Sequence, residues 1–183
     1  MKRILTLLIL FVAVSAWGQK SDFVDDLLQH APMGSVFVLK ACEFESASAS
    51  WEELALTAGC SYVLAAATTY SMKQIVRERR PDKSDRRSFP SGHATFAFAG
   101  ASTLSHEFGH LSPWVTIGGY GVATLTAVHR VMLDRHYLHD VCAGAAIGWL
   151  SSELTYYLKQ RFIKSKNIDV NVSGHSIDVA IRL

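Results

Sequence analysis

Cysteine is scarce in this chain. Its 183 residues include three, Cys42, Cys60 and Cys142, an odd number at spacings unlike any zinc knuckle, so no cysteine-built metal site organises the fold. One disulfide is possible and none is required. Cys60 and Cys142 fall in apolar helical stretches, where a small buried thiol is expected. A strong charge of either sign is also missing: 18 basic residues face 16 acidic ones. Two of the basic ones, Lys2 and Arg3, open a segment that reads as a secretory signal peptide. It runs through the apolar Ile4 to Val14 and ends in small residues, Ser15, Ala16 and Gly18, around Trp17. Its apolar core is short for an uncleaved anchor, and with no cysteine near the cleavage region the segment does not read as that of a lipoprotein. Without residues 1–18 the chain is formally neutral, so composition offers no footprint for nucleic acid. No internal repeat is evident.

What remains is helical in pattern. Phe23, Leu27 and Leu28 share a helical spacing up to a break at Pro32-Met33-Gly34, which predicts a short helix followed by a second element, Val36 to Leu39. Ser50 and Glu53 form a capping box opening a helix at Trp51, and Leu54 to Met72 is uncharged for 19 residues, either buried or spanning a membrane. Pro81 should end that helix. Further uncharged helices are predicted from Ser91 to about His106, from Trp114 to Val128, and from Val141 to Leu158 with Glu153 inside it. Trp51, Trp114 and Trp149 are expected in the core or at an interface. The tail alternates, with Ile168, Val170 and Val172, then Ser173-Gly174, then Ile177, Val179, Ile181 and Leu183, which predicts a β-hairpin. The reading is one all-α helical domain over residues 19–163 and a tail at 164–183.

Three polar clusters interrupt the apolar helices. Phe89-Pro90-Ser91-Gly92-His93 places a hydroxyl, backbone N–H groups and an imidazole at a helix start, where the unpaired N–H groups and the helix dipole favour an oxyanion. Lys73 and Arg80-Pro81 sit at the end of the preceding long helix. Arg130, His136 and Asp140 follow later, the last two four residues apart and on one face if that segment is helical. Arg can clamp phosphate oxygens by its rigid fork and Lys as a point charge, Ser91 and the Gly92 N–H can complete a cradle, and a carboxylate can hold an imidazole in one tautomer. Seven basic residues lie between Lys73 and Arg87. Arg77, Arg79, Lys83, Arg86 and Arg87 read as solvated, and His30, His106, His110 and His175 match no pattern.

In order and spacing, Lys73 with Arg80-Pro81, Pro90-Ser91-Gly92-His93, and Arg130 with His136 and Asp140 resemble the three signature motifs of the type 2 phosphatidic acid phosphatase and vanadium haloperoxidase superfamily. The resemblance covers about residues 51–158. It implies a helical-bundle phosphatase acting on phosphate monoesters of a lipid or lipid-like substrate without a metal. Vanadate would act as a phosphate mimic, and the site would face the periplasm at a membrane surface or bilayer, with no nucleic-acid partner. It implies His136 as the nucleophile that forms a phosphohistidine, Asp140 as its orienting partner and His93 as general acid and then base. Lys73, Arg80, Ser91, Gly92 and Arg130 would be the phosphate contacts. A broad-specificity soluble acid phosphatase is the alternative on the same fold; a haloperoxidase, whose chains are usually much longer, and a non-catalytic phosphate-binding protein come after it. One position departs from the pattern: a small residue commonly precedes the arginine of the third motif, and here it is His129, which alters one phosphate-side hydrogen bond and the substrate fit. His139 with His93, His129 and His136 brings a zinc site to mind, but the spacings are wrong and the surroundings are cationic.

Overall fold

In the computed structural model, which describes residues 22–163, 168–173 and 176–181, the chain forms α1 (Asp22–Ala41), α2 (Trp51–Val76), α3 (Gly92–Phe108), α4 (Pro113–Met132) and α5 (Leu138–Leu158). A π-helical turn, Lys159–Ile163, follows, then an antiparallel hairpin of β1 (Ile168–Ser173) and β2 (Ser176–Ile181), with Val170 opposite Val179. The fold is all-helical apart from this hairpin. The signal-like segment 1–18 and the hairpin connection at Gly174 lie outside the described residues.

Each helix end has a local cause. Ser50 Oγ accepts the Glu53 N–H at 3.1 Å while Glu53 accepts the Ala49 N–H at 2.8 Å, fixing the start of α2. Arg77, left-handed at φ 47°, closes it. Ser91 caps α3, and Ser112 with Pro113 opens α4. The break expected at Pro32 does not occur, and α1 runs through it as one helix. Met33 and Val36, just past the proline, are buried in the main hydrophobic cluster with Leu54, Leu104 and Phe108. That packing outweighs the ~3 kcal/mol cost of an interior proline.

Helix α3 is the axis, packed by α1, α2, α4 and α5. Its face is alanine, with Ala94, Ala97, Ala99 and Ala101 fully buried, so its neighbours approach closely. On α5, Gly144 and Gly148 meet the backbone of α3 directly. A Cβ at Gly148 would lie 2.9 Å from Ala99 N and collide with Thr95 O, and one at Gly144 would collide with Ser91 O. This contact sets the start of α5 against the start of α3, where the Asp140 carbonyl accepts the Ser91 N–H at 3.0 Å. Because the opposing atoms are backbone and cannot swing aside, Gly148→Ala should cost about 1–3 kcal/mol or more in chemical denaturation.

The opposite pole is held by buried polar groups. Glu107 accepts hydrogen bonds from Ser48 N–H (2.8 Å), Ser48 Oγ (2.7 Å) and the Tyr156 hydroxyl (2.7 Å). Lys159 reaches Ser48 Oγ at 2.7 Å and Glu53 at 3.0 Å. His106 and Ser102 both bond Glu153. One expectation is corrected at the surface. Cys60 and Cys142, expected to be buried, are exposed, as is Cys42, because the outer faces of α2 and α5, which carry Cys60 and Cys142, are themselves apolar. Trp51, Trp114 and Trp149, at 48%, 65% and 45% exposure, lie on the outside of the bundle, which leaves an interface of the two places expected for them. No helix among the described residues is long and apolar enough to cross a membrane.

Candidate active site

The site lies where the end of α2, the starts of α3 and α5 and the end of α4 converge. His136 precedes α5 rather than sharing a helical face with Asp140. Tyr137 is the N-cap, and Asp140, at the third helical position, accepts the Tyr137 N–H at 2.8 Å. The carboxylate thereby turns back toward the imidazole, with His136 Nδ1 3.4 Å from Asp140 Oδ2. Both are buried, His136 at 2% exposure and Asp140 at 0%. Ser88, which the sequence reading missed, donates to Asp140 Oδ2 at 2.5 Å. Burial works to raise the Asp140 pKa, but the adjacent His136 and the hydrogen bonds from Ser88 and the Tyr137 N–H outweigh it and hold the carboxyl below its ordinary value.

The cations arrive from three directions. Lys73, in the last turn of α2, donates to Arg87 O at 2.7 Å; burial, with Arg80 beside it, lowers its ammonium to about 8. Arg80 is fixed by Asp85 at 2.8 Å, and Arg135 and Asp82, 3.1 Å apart, tie this loop to the connection before α5. Arg130 is buried at the end of α4 and donates from Nη1 to Asp25 at 2.5 Å, while its Nε is buried without a partner. A buried donor with no acceptor is rare and suits an anion. Burial lowers the His136 pKa, Asp140 pulls it up, and Lys73, Arg80 and Arg130 push it down. In front of them Ser91 caps α3, and the space over Gly92 is open, since a Cβ there would meet nothing within 4 Å.

His93 lies on the opposite flank. Its Nε2 is 3.1 Å from Asp26 Oδ1 on α1. Burial and then the Arg130 charge lower its pKa to about 4, against upward pulls from Asp26 and Asp25. His129 bonds Asp25 through Nδ1 at 2.5 Å. Neither Asp25 nor Asp26 carries a signal in the sequence, because both act across more than sixty residues. The four histidines do not gather as a metal set among the described residues; Glu78, His139 and Asp140 do lie together. There His139 Nε2 sits 3.0 Å from Glu78, which raises its pKa, and 3.1 Å from Asp140 Oδ1.

Geometry and charge therefore define a class: a helical bundle whose helix ends gather cationic side chains around a buried imidazole and carboxylate. The chain belongs to the PAP2 superfamily, which its residues 54–164 match. It is 32% identical over 135 residues to the lipid A 1-phosphatase of Porphyromonas gingivalis, a match covering 74% of this chain and 30% of that protein. It is also 32% identical over 102 residues to the decaprenylphosphoryl-5-phosphoribose phosphatase of Mycobacterium tuberculosis, covering 51% of this chain and 54% of that one. The chain thus spans about half or less of the length of these relatives. In fold it is similar to the crystal structure of Aquifex aeolicus LpxE, with a TM-score of 0.57 at 20% identity over 82% of this chain and 94% of that one.

Proposed function

We propose that this protein is a phosphatase that hydrolyses phosphate monoesters of a lipid or lipid-like substrate, exported to face the periplasm and acting without a metal. The observation that carries the reading is the convergence of Lys73, Arg80 and Arg130 on a buried His136 whose Nδ1 faces Asp140. Such groups can neutralise charge on three phosphate oxygens without a metal ion. Asp140 holds the proton on Nδ1 and leaves the Nε2 lone pair to attack phosphorus. As the N–P bond forms, the P–O bond to the alcohol breaks and His93 protonates the departing oxygen. His93 then takes a proton from water, the resulting hydroxide cleaves the N–P bond, and inorganic phosphate leaves with His136 restored. The Gly92 N–H and the Ser91 hydroxyl close the cradle.

The lipid reading rests on the exterior as well as on the relatives. Large apolar side chains are exposed around the site end of the bundle, Ile75 at the end of α2, Met132 at the end of α4 and Leu138 at the start of α5. Val63, Trp114 and Leu150 continue the apolar outer faces of these helices. Surfaces of this kind mark contact with a membrane or a partner. Beside them the exposed Arg77, Arg79, Arg86 and Arg87 suit an anionic headgroup layer.

A phosphate-release panel tests the assignment. Phosphorylated lipids dispersed in vesicles, lipid A, phosphatidic acid and a prenyl diphosphate among them, should be turned over at least tenfold faster, by kcat/KM, than short water-soluble esters. Turnover of soluble esters alone would make it a soluble acid phosphatase. The pH profile follows from the site. His136 must be neutral to attack, and its lowered pKa keeps it so below the ordinary imidazole value. Lys73 must be charged to bind, and above about 8 it is not. With 4-nitrophenyl phosphate, whose leaving oxygen needs no proton from His93, the kcat/KM profile should fall above about pH 8, and Lys73→Arg, charged at every working pH, should move that limb upward.

A further inference from the structure

The N-terminal helix α1 lies outside the stretch matched to the family, which begins at residue 54, yet it reaches the site with two consecutive carboxylates. Asp25 is fully buried and divides its oxygens between two partners, Oδ2 to Arg130 Nη1 and Oδ1 to His129 Nδ1, each at 2.5 Å. Asp26 reaches His93 Nε2 at 3.1 Å. We propose that α1 completes the active site, Asp25 as a positioning residue for the phosphate-clamping Arg130 and Asp26 as a positioning residue for the acid–base group His93.

The geometry gives each carboxylate a distinct task. Arg130 has a buried, unpartnered Nε, and Asp25 holds the Nη1 edge of the same guanidinium. A planar fork pinned along one edge has little rotational freedom left, so its free donor stays aimed when no anion is bound. His129, which stands where the resemblance leads one to expect a small residue, is the second clamp on the same carboxylate. The departure in the third motif is thus matched by a partner on α1. Asp26 acts on the acid. The charged groups facing His93 are Arg130 from α4 and Asp25 and Asp26 from α1; the first disfavours the imidazolium and the other two favour it. Of these carboxylates, Asp26 alone bonds the His93 ring. It therefore fixes the ring and supports the proton that the leaving oxygen must receive.

The proposal rests on the phosphatase reading, and two esters separate the tasks. A long-chain alkyl phosphate needs a proton on its leaving oxygen; 4-nitrophenyl phosphate does not. Asp26→Asn should slow the alkyl ester about tenfold or more and the nitrophenyl ester less than about threefold. Asp26→Glu should recover part of the loss, and the His93 titration followed by NMR should move to lower pH in Asp26→Asn. Asp25→Asn should slow both esters alike, by about tenfold or more, and weaken vanadate binding by a similar factor. If Asp25→Asn does not fold, as circular dichroism will show, Asp25→Glu replaces it, with the same expectation for vanadate. Equal slowing of both esters by Asp26→Asn with an unmoved His93 titration, or normal vanadate affinity in the Asp25 variant, would overturn the proposal. If the native protein releases phosphate from neither ester, the phosphatase reading fails instead, while the NMR titration and vanadate binding still report on α1.

Discussion

Replacing His136 by Ala is expected to abolish turnover, lowering kcat by on the order of 10⁴-fold or more with every phosphate ester tried. The site offers no substitute. The neighbouring imidazoles are engaged elsewhere, His93 with Asp26, His129 with Asp25 and His139 with Glu78. A water entering in place of the imidazole would lack the Asp140 contact that organises the attacking nitrogen. The loss should fall on kcat, because the proposed phosphate clamps Lys73, Arg80 and Arg130 are left in place. Vanadate affinity should drop less than turnover does. Asp140→Asn should be milder, at about 10²-fold, since the imidazole stays in place with its tautomer no longer enforced.

The second large effect is expected at Arg130. Arg130→Ala removes one of the three charges proposed to hold the phosphate, and losses of about 10³-fold accompany the removal of such a guanidinium from a phosphoryl-transfer site. Unlike His136, Arg130 also has a structural partner in Asp25, buried at 0% exposure. Without Arg130 that carboxylate keeps only His129, so the variant should lose about 3–5 kcal/mol of stability as well. Arg130→Lys separates the two losses. It keeps a charge near Asp25 and restores most of the stability, but a lysine cannot hold Asp25 with one edge and present a donor to phosphate with the other, so kcat/KM stays depressed. Thermal melting beside steady-state kinetics on the two variants reads both.

The residues of the three motifs were legible because they lie at helix ends, where short-range spacing decides which groups meet. Lys73 lies in the last turn of α2, Ser91 caps α3, Arg130 lies in the last turn of α4, and His136 and Asp140 flank the start of α5. Even there the detail differed, since Asp140 reaches His136 by turning back from the first turn of α5 and not along a shared face. Asp25 and Ser88 left no trace, because their partners stand 105 and 52 residues away and only the packing of α1 and α5 on α3 brings them together. Pro32 misled because a proline's local cost was weighed without the burial of Met33 and Val36 beside it. Cys60 and Cys142 misled because an apolar helical face reads alike whether it meets a core or the outside of the bundle.

Turnover of a phosphate ester labelled on phosphorus, quenched within milliseconds in alkali where phosphohistidine survives, followed by mass-spectrometric mapping of the labelled peptide, tests the central claim. The account predicts one phosphate on His136, absent from His136→Ala and accumulating when His93 is changed to Ala and a good leaving group is used. Phosphate found on Ser91 or His93, or direct transfer to water with no labelled protein at any quench time, would contradict it.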